Sequence, residues 1–303
     1  MLGIHVSKIS KILHIKSQSN TLRSMLNAII DNIIELKINA VQIFTHGPRN
    51  YNANEMDYNA IKTYCKAHNI YIVVHSTYLT QPWKINNENK SSLRSKTTLS
   101  HIKSQLKACH LVGAAGLVVH LPKYNLETNS SQKISETMKI LKPLCIKFKV
   151  PILLEISAHK LDESYASPDH LNELCQTLKK KNKSCIWGIC VDTAHIYASN
   201  IDISSATQAK KWISKLKYPR KIHLFHLNGT IIKFGSNKDV HAIPFAQDDV
   251  MWNAQDKDIK QMGGYIFVRF CKKNHIPIIL EINRGTKSEA QTSLNVIKQL
   301  LKY

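Results

Sequence analysis

The stretch GICVDTAHIYAS, residues 188–199, decides the fold. A run of small and apolar residues ends at an aspartate, Asp192, and a histidine, His195, follows three positions on. Short runs of the same kind recur along the whole chain: LGIHV (2–6), AVQIFT (40–45), YIVVH (71–75), GLVVH (116–120), PILLE (151–155), IHLFH (222–226) and PIIL (277–280) before Glu281. Each is Val- and Ile-rich and lacks apolar/polar alternation, as expected of strands buried on both faces of a parallel sheet.

Helical patterns fill the intervals. TLRSMLNAIIDNIIELK (21–37) sets Leu22, Leu26, Ile29, Ile30 and Ile33 on one face. SHIKSQLKACHLVG (100–113) ends on a glycine suited to a helix C-cap. Ser167 and Pro168 open a further helix, and EAQTSLNVIKQLLK (289–302) forms the last. Eight strands alternating with helices over ~250–300 residues is the pattern of a (β/α)8 TIM barrel, here one domain over residues 1–303. A doubly wound open sheet would bring a Gly-rich first turn, and no G-x-G-x-x-G is present. Two polar insertions stand out, at 84–98 and 229–245.

The composition, 43% hydrophobic and 21% charged, is that of a globular protein. Lys+Arg 42 against Asp+Glu 21 gives a formal charge of +21. An AT-rich coding bias toward Lys, Asn and Ile accounts for part of this; a polyanionic partner such as nucleic acid accounts for it equally. Seven cysteines without a C-x-x-C pair point to reduced thiols in an intracellular compartment. Lysines come too early for a signal peptide, and no apolar run approaches the ~18 residues of a membrane span.

Six of the eight strands end in a metal-ligand residue: His75, His120, Glu155, Asp192, His226 and Glu281. In a β/α barrel the C-terminal strand ends meet on one face, where active sites lie. His195, Asp239 and His241 sit just beyond. One such residue means little, since a strand-end histidine is more often a core residue; six consecutive strands ending this way indicate a metal site. Imidazole and carboxylate without thiolate suit zinc, with manganese as substitute. Nine donors exceed one ion and suit two or three, an arrangement fitted to phosphoryl displacement.

At these residues the sequence resembles the endonuclease IV family of apurinic/apyrimidinic endonucleases, in particular its short, divergent viral members. The shared motifs run in order along nearly the whole chain: GIHVS, FT-x-x-x-R (44–49), H-x-x-Y-L (75–79), the His120 strand end, Glu155, VDTAH (191–195), FHLN (225–228), GS-x-x-D-x-H (235–241) and LE (280–281). The resemblance implies three zinc ions: one on His75, His120 and Glu155; a second on Glu155 as a bridge, Asp192, His226 and Glu281; a third on His195, Asp239 and His241. It implies a hydroxide attacking the phosphorus 5′ to an abasic site in duplex DNA, as in base-excision repair, with Glu155 and Glu281 as the catalytic carboxylates. Trimming of blocked 3′ ends, by 3′-phosphodiesterase and 3′→5′ exonuclease action, comes with it. Arg49 and Tyr78 match positions that fill or stack on the gap left by a flipped nucleotide, and His5 a position at the barrel mouth that is not assigned to a metal. The resemblance further implies a monomer working in the cytoplasm or nucleus or, for a viral protein, at sites of viral DNA replication or in the virion.

The chain departs from the family at four residues in three motifs. Gly229 replaces an aspartate, Pro122 and Lys123 alter an H-x-G loop, and Val240 replaces an arginine. The basic residues Lys84, Lys90, Arg94 and Lys96 of the first insertion are placed to follow a DNA backbone or to form a solvated loop. Two other functions remain open. A single-metal sugar isomerase or epimerase would use Glu155, Asp192, His226 and Glu281 and leave the other five donors without a role. A catalytically dead DNA-binding scaffold would have no need of an intact ligand set.

Overall fold

The computed structural model describes residues 1–6, 24–85, 88–181, 186–253, 258–282 and 286–302. Eight strands form a closed, all-parallel barrel in sequence order: β1 (Leu2–Val6), β2 (Ala40–Phe44), β3 (Tyr71–His75), β4 (Leu117–His120), β5 (Ile152–Glu155), β6 (Trp187–Asp192), β7 (Ile222–His226) and β8 (Ile278–Leu280). β8 pairs back onto β1 through Leu2 and Ile278. All eight apolar runs are strands, and the TIM-barrel expectation is met.

The helices among the described residues are α1 (Ser24–Leu36), α2 (Tyr58–Ala67), α3 (Leu93–Val112), α4 (Ser130–Phe148), α5 (Pro168–Lys181), α6 (Thr193–Ala198), α7 (Ala206–Ser214), α8 (Gly263–Lys273) and α9 (Lys287–Lys302). Part of the first expected helix, including Leu22, lies outside the described residues, as does Cys185. Gly113 caps α3 in the left-handed region at φ 73. One expectation is corrected: the stretch 84–98 is not all loop. Ser92 Oγ accepts the Ser95 N–H, and α3 begins at Leu93 inside the supposed insertion. Thr97 and Thr98 return their hydroxyls to the carbonyls of Leu93 and Arg94, so a polar surface helix forms without an apolar stripe to announce it.

The continuous apolar runs conceal a two-residue alternation. Ala40, Val73, Val118, Leu153, Cys190, Leu224 and Ile279 pack together as the barrel's own small core. Their strand neighbours, such as Val41, Val74, Val119, Leu154 and Val191, belong to the larger core beneath the helices. In β1 the inward position is Gly3, where a Cβ would collide with the Ala40 carbonyl. Two residues beyond each member of this layer come His5, Gln42, His75, His120, Glu155, Asp192, His226 and Glu281. Successive side chains on a strand point to opposite faces, so all eight project into the barrel mouth.

Register completes the ring. β6 and β7 pair Ile189 with Ile222 but Cys190 with Leu224, a one-residue slip. Without it Asp192 would lie beside Phe225, which faces the outer core; with it Asp192 lies beside His226. Gly188 sits at the slip, where a Cβ would come within 2.5 Å of the His223 ring. The six described cysteines are buried and none is in a disulfide. Among the described residues no helix is long and apolar enough to cross a membrane.

Candidate metal centre and active site

Glu155, with no exposed surface, stands at the centre of the mouth. Its Oε2 lies 3.0 Å from His75 Nε2 and 3.0 Å from His120 Nε2, and its Oε1 lies 2.8 Å from His226 Nδ1. His226 Nδ1 is also 3.4 Å from Glu281 Oε2 and 3.7 Å from Asp192 Oδ2. The donor atoms of His75, His120 and Glu155 lie within 4.8 Å of one another, as do those of Glu155, Asp192, His226 and Glu281. These two groups have the same membership as the first two ligand sets expected from sequence.

The third group is arranged differently. The donor atoms of Asp192, His195 and His241 converge within 4.8 Å, so Asp192 takes part in two groups. Asp239 Oδ1 lies 3.1 Å from His195 Nε2 and 3.0 Å from His241 Nε2. Neither contact has hydrogen-bond geometry, and both imidazole nitrogens are buried without a hydrogen-bond partner. Buried polar atoms of this kind are costly unless something else satisfies them.

The histidine tautomers are set from outside the mouth. His75 Nδ1 donates to the Ser76 carbonyl at 2.8 Å and His195 Nδ1 to the Ile156 carbonyl at 2.7 Å. His226 Nε2 donates to Gln42 Oε1 at 2.9 Å. A carbonyl oxygen only accepts, so the outer nitrogen of each ring carries a hydrogen, and the inner nitrogen is the one that would take a metal ion once deprotonated. Such outer partners orient metal-binding histidines.

Electrostatics gives the same picture. Burial alone disfavours a charged imidazole, yet Asp192 and Asp239 hold His195 well above the ordinary histidine range and push His241 up to about 9. Burial would likewise raise Glu155, but His120 and His226 hold it well below the usual carboxylate range. Asp239 is lowered against burial by His195 and His241. The buried carboxylates thus call for positive charge among them; protonated imidazoles supply it here, and a divalent ion that displaced those protons would supply it while taking up the ring nitrogens. The donor set fits divalent metal ions.

Sequence reasoning missed three residues here. Gln42 bonds His226 and donates to Glu281 Oε1 at 2.7 Å and His5 Nδ1 at 2.9 Å. Asn228 donates to Asp192 Oδ2 at 2.7 Å and accepts the Glu281 N–H at 2.8 Å. Gln42 was detectable as the polar residue inside AVQIF; Asn228 was quoted in a motif without a role. The third, Asp249, sits within a long loop and carried no local signal.

The family described as Xylose isomerase-like TIM barrel matches residues 30–300. A probable AP endonuclease of African swine fever virus (isolate Pig/Kenya/KEN-50/1950) is 32% identical over 89% of this chain and 88% of its own length. The chain belongs to the endonuclease IV family of AP endonucleases within these barrels. The crystal structure of AsfvAP:AG superposes with a TM-score of 0.82 and 30% identity over 100% of this chain and 98% of its own. Endonuclease IV from Thermus thermophilus shares the fold, with a TM-score of 0.68 and 19% identity over 99% and 98%.

The departure of this endonuclease IV relative at Gly229 has a structural counterpart. A Cβ there would meet the Asp249 carboxylate at 2.5–2.8 Å. Asp249, fully buried, accepts the N–H groups of Thr230, Phe245 and Met251 at 3.0–3.1 Å. It holds Phe245 in the left-handed region at φ 68, which a bulky residue seldom adopts. Gly229 and Ala242 exchange two backbone hydrogen bonds, fixing the turn that carries His241. The Asp249 carboxylate thus occupies the space that a side chain at 229 would need. Tyr78 is 46% exposed, its ring edge-on to His75 at 5.4 Å and Phe44 at 5.8 Å. Its N–H bonds the Pro48 carbonyl, which brings the exposed Arg49 loop to the mouth. Lys84, Lys90, Arg94 and Lys96 are all exposed along the chain's course from β3 into α3.

Proposed function

We propose that this protein hydrolyses the phosphodiester 5′ to an abasic site in duplex DNA, using three zinc ions held by the nine donors. Removal of blocked 3′ ends and 3′→5′ exonucleolytic trimming belong to the same reading. What carries it is Glu155, whose two oxygens face two different histidine groups: His75 and His120 on one side, His226 on the other. A carboxylate so placed would hold a metal ion on each side, and a pair of ions so held would supply the charge that displacement at phosphorus needs.

Metal ions there supply a nucleophile near neutral pH and positive charge against the phosphate. The protein's own residues do the rest. Glu155 and Glu281 face the reacting region, and Gln42 fixes both Glu281 and the donor nitrogen of His226. Asn228 holds Asp192 and the Glu281 backbone in register. Tyr78 and Arg49 stand at the rim, where an extruded nucleotide leaves a gap to be filled. The net charge of +21 suits attachment to phosphates of any sequence.

The deciding experiment uses a duplex with one tetrahydrofuran abasic analogue, without added magnesium and in mild chelator. A cut on the 5′ side leaving a 3′ hydroxyl is expected, since the analogue cannot undergo β-elimination. Metal analysis should return about three zinc per chain. The single-ion sugar isomerase needs only the Glu155–Asp192–His226–Glu281 group; a stoichiometry near one, with no cut, would return that reading.

A further inference from the structure

A cavity of about 470 Å³ opens against the outer side of His75 and His120 and extends away from the ligand ring toward the start of α4. That volume is in the range of ~300–1,000 Å³ typical of small-molecule sites. Its walls are of two kinds. Trp83 and Pro122 supply flat apolar surface, and the Trp83 indole is locked in place by donation to the His120 carbonyl at 2.6 Å. Lys84, Lys123 and Lys133 supply positive charge. Lys123 is paired with Glu163 at 2.7 Å, and no carboxylate lines the cavity among the described residues. Aromatic and apolar surface beside cationic donors is an environment that takes a nucleobase, its face against the wall and its acceptor atoms toward the charge.

We infer that this cavity is a nucleobase subsite, which admits the base of a 3′-terminal nucleotide while the phosphate on its 5′ side is hydrolysed at the ligand ring. The inference rests on the phosphodiesterase reading and specifies its substrate. Incision at an abasic site and removal of a 3′-terminal nucleotide break the same bond. The oxygen of water joins the phosphorus, the bond from phosphorus to the 3′ oxygen of the preceding nucleotide breaks, and that oxygen takes a proton. A 3′ hydroxyl and a 5′-phosphate result in both. The substrates differ in what C1′ carries: nothing bulky in one, an intact base in the other. An abasic sugar needs no room beyond His75 and His120; a base-bearing nucleotide needs a space of this kind. Lys84 and Lys133 then offer N–H donors to the acceptor atoms of the base, while its phosphate stays at the ligand ring.

The test pairs substrates and variants. Thr128 is exposed on the cavity rim, away from the ligand ring, so Thr128→Trp narrows the cavity without disturbing the core. Removal of an unmodified recessed 3′ nucleotide should fall about tenfold or more in Thr128→Trp, a loss the size of one stacked base. Incision at an internal tetrahydrofuran should stay within about twofold. Lys133→Glu should act in the same direction. Binding is measured separately by calorimetry on the zinc-loaded protein, with dAMP and 2-deoxyribose 5-phosphate as probes. The wild type should hold dAMP about tenfold more tightly, and Thr128→Trp should erase the difference. Equal affinity for the two probes, or equal loss on both DNA substrates, overturns the subsite. Discrimination between the probes without any tetrahydrofuran incision would leave the subsite standing and overturn the abasic endonuclease reading.

Discussion

Two parts of the mouth hold their donors by different means. His75, His120, Glu155, Asp192 and His226 are the last residues of five consecutive strands. Alternation aims them inward and the strand register fixes their heights. Asp239 and His241 instead lie in the long loop after β7, and Asp239 is 46% exposed whereas Glu155 is fully buried. Nothing local aims them. The Gly229–Ala242 pairing and the Asp249 carboxylate do so, through bonds that join distant parts of the loop. Strand-borne donors are therefore over-determined, while loop-borne donors depend on a few non-local bonds.

The largest effect should come from the strand-borne centre. Glu155→Gln is expected to lower incision by about a thousandfold or more while sparing duplex binding, seen as retained gel shift with no product. Unchanged incision would undo the assignment of the bridging role. Asp239→Asn should cost less, roughly ten- to a hundredfold, and should lower the zinc content by one equivalent while the strand-borne ions stay. Loss of all metal from this variant would erase the distinction between the two parts.

Asp249 tests the loop's dependence on remote bonds. Asp249→Ala should weaken retention of the loop-borne ion by about tenfold in chelator titrations without emptying the strand-borne groups. Gly229→Asp alone should be harmful, because the new side chain meets the Asp249 carboxylate at 2.5 Å, and should be better tolerated once Asp249 is alanine. Additive losses in the double variant would mean the two positions are independent.

The smallest effect concerns a histidine away from the ring. His46 is buried between the Thr45 and Ser104 hydroxyls, at 3.0 and 2.9 Å, and pairs with no carboxylate among the described residues. Burial, and then His101, lowers it to about 4. A depressed histidine is neutral in the folded state, so its contribution is present above the unfolded value near 6.5 and is lost as pH falls from there toward 4. The full loss is at most about 3 kcal/mol. His46→Gln should flatten denaturant midpoints over that window; an unaltered pH profile would show that His46 does not titrate there. His195 and His241, pushed the other way by Asp192 and Asp239, contrast with it.

By itself the sequence determined the eight strands, their parallel order and the residues that end them. These are local matters: apolar runs, turn residues and a helix cap leave one-dimensional traces, and barrel closure then gathers strand ends from across the chain onto one face. The family motifs named the loop-borne donors as well. What only the tertiary structure decided was registration and support. The slip that sets Asp192 beside His226 depends on how two strands pair, which neither strand encodes alone. Gln42 reads as one polar residue in an apolar run until the closed barrel brings it to His226 and Glu281. Asp249's bonds and the cavity beside His120 exist only once segments far apart in sequence pack together, and hydrogen bonds and empty space between such segments leave no periodic trace in either one.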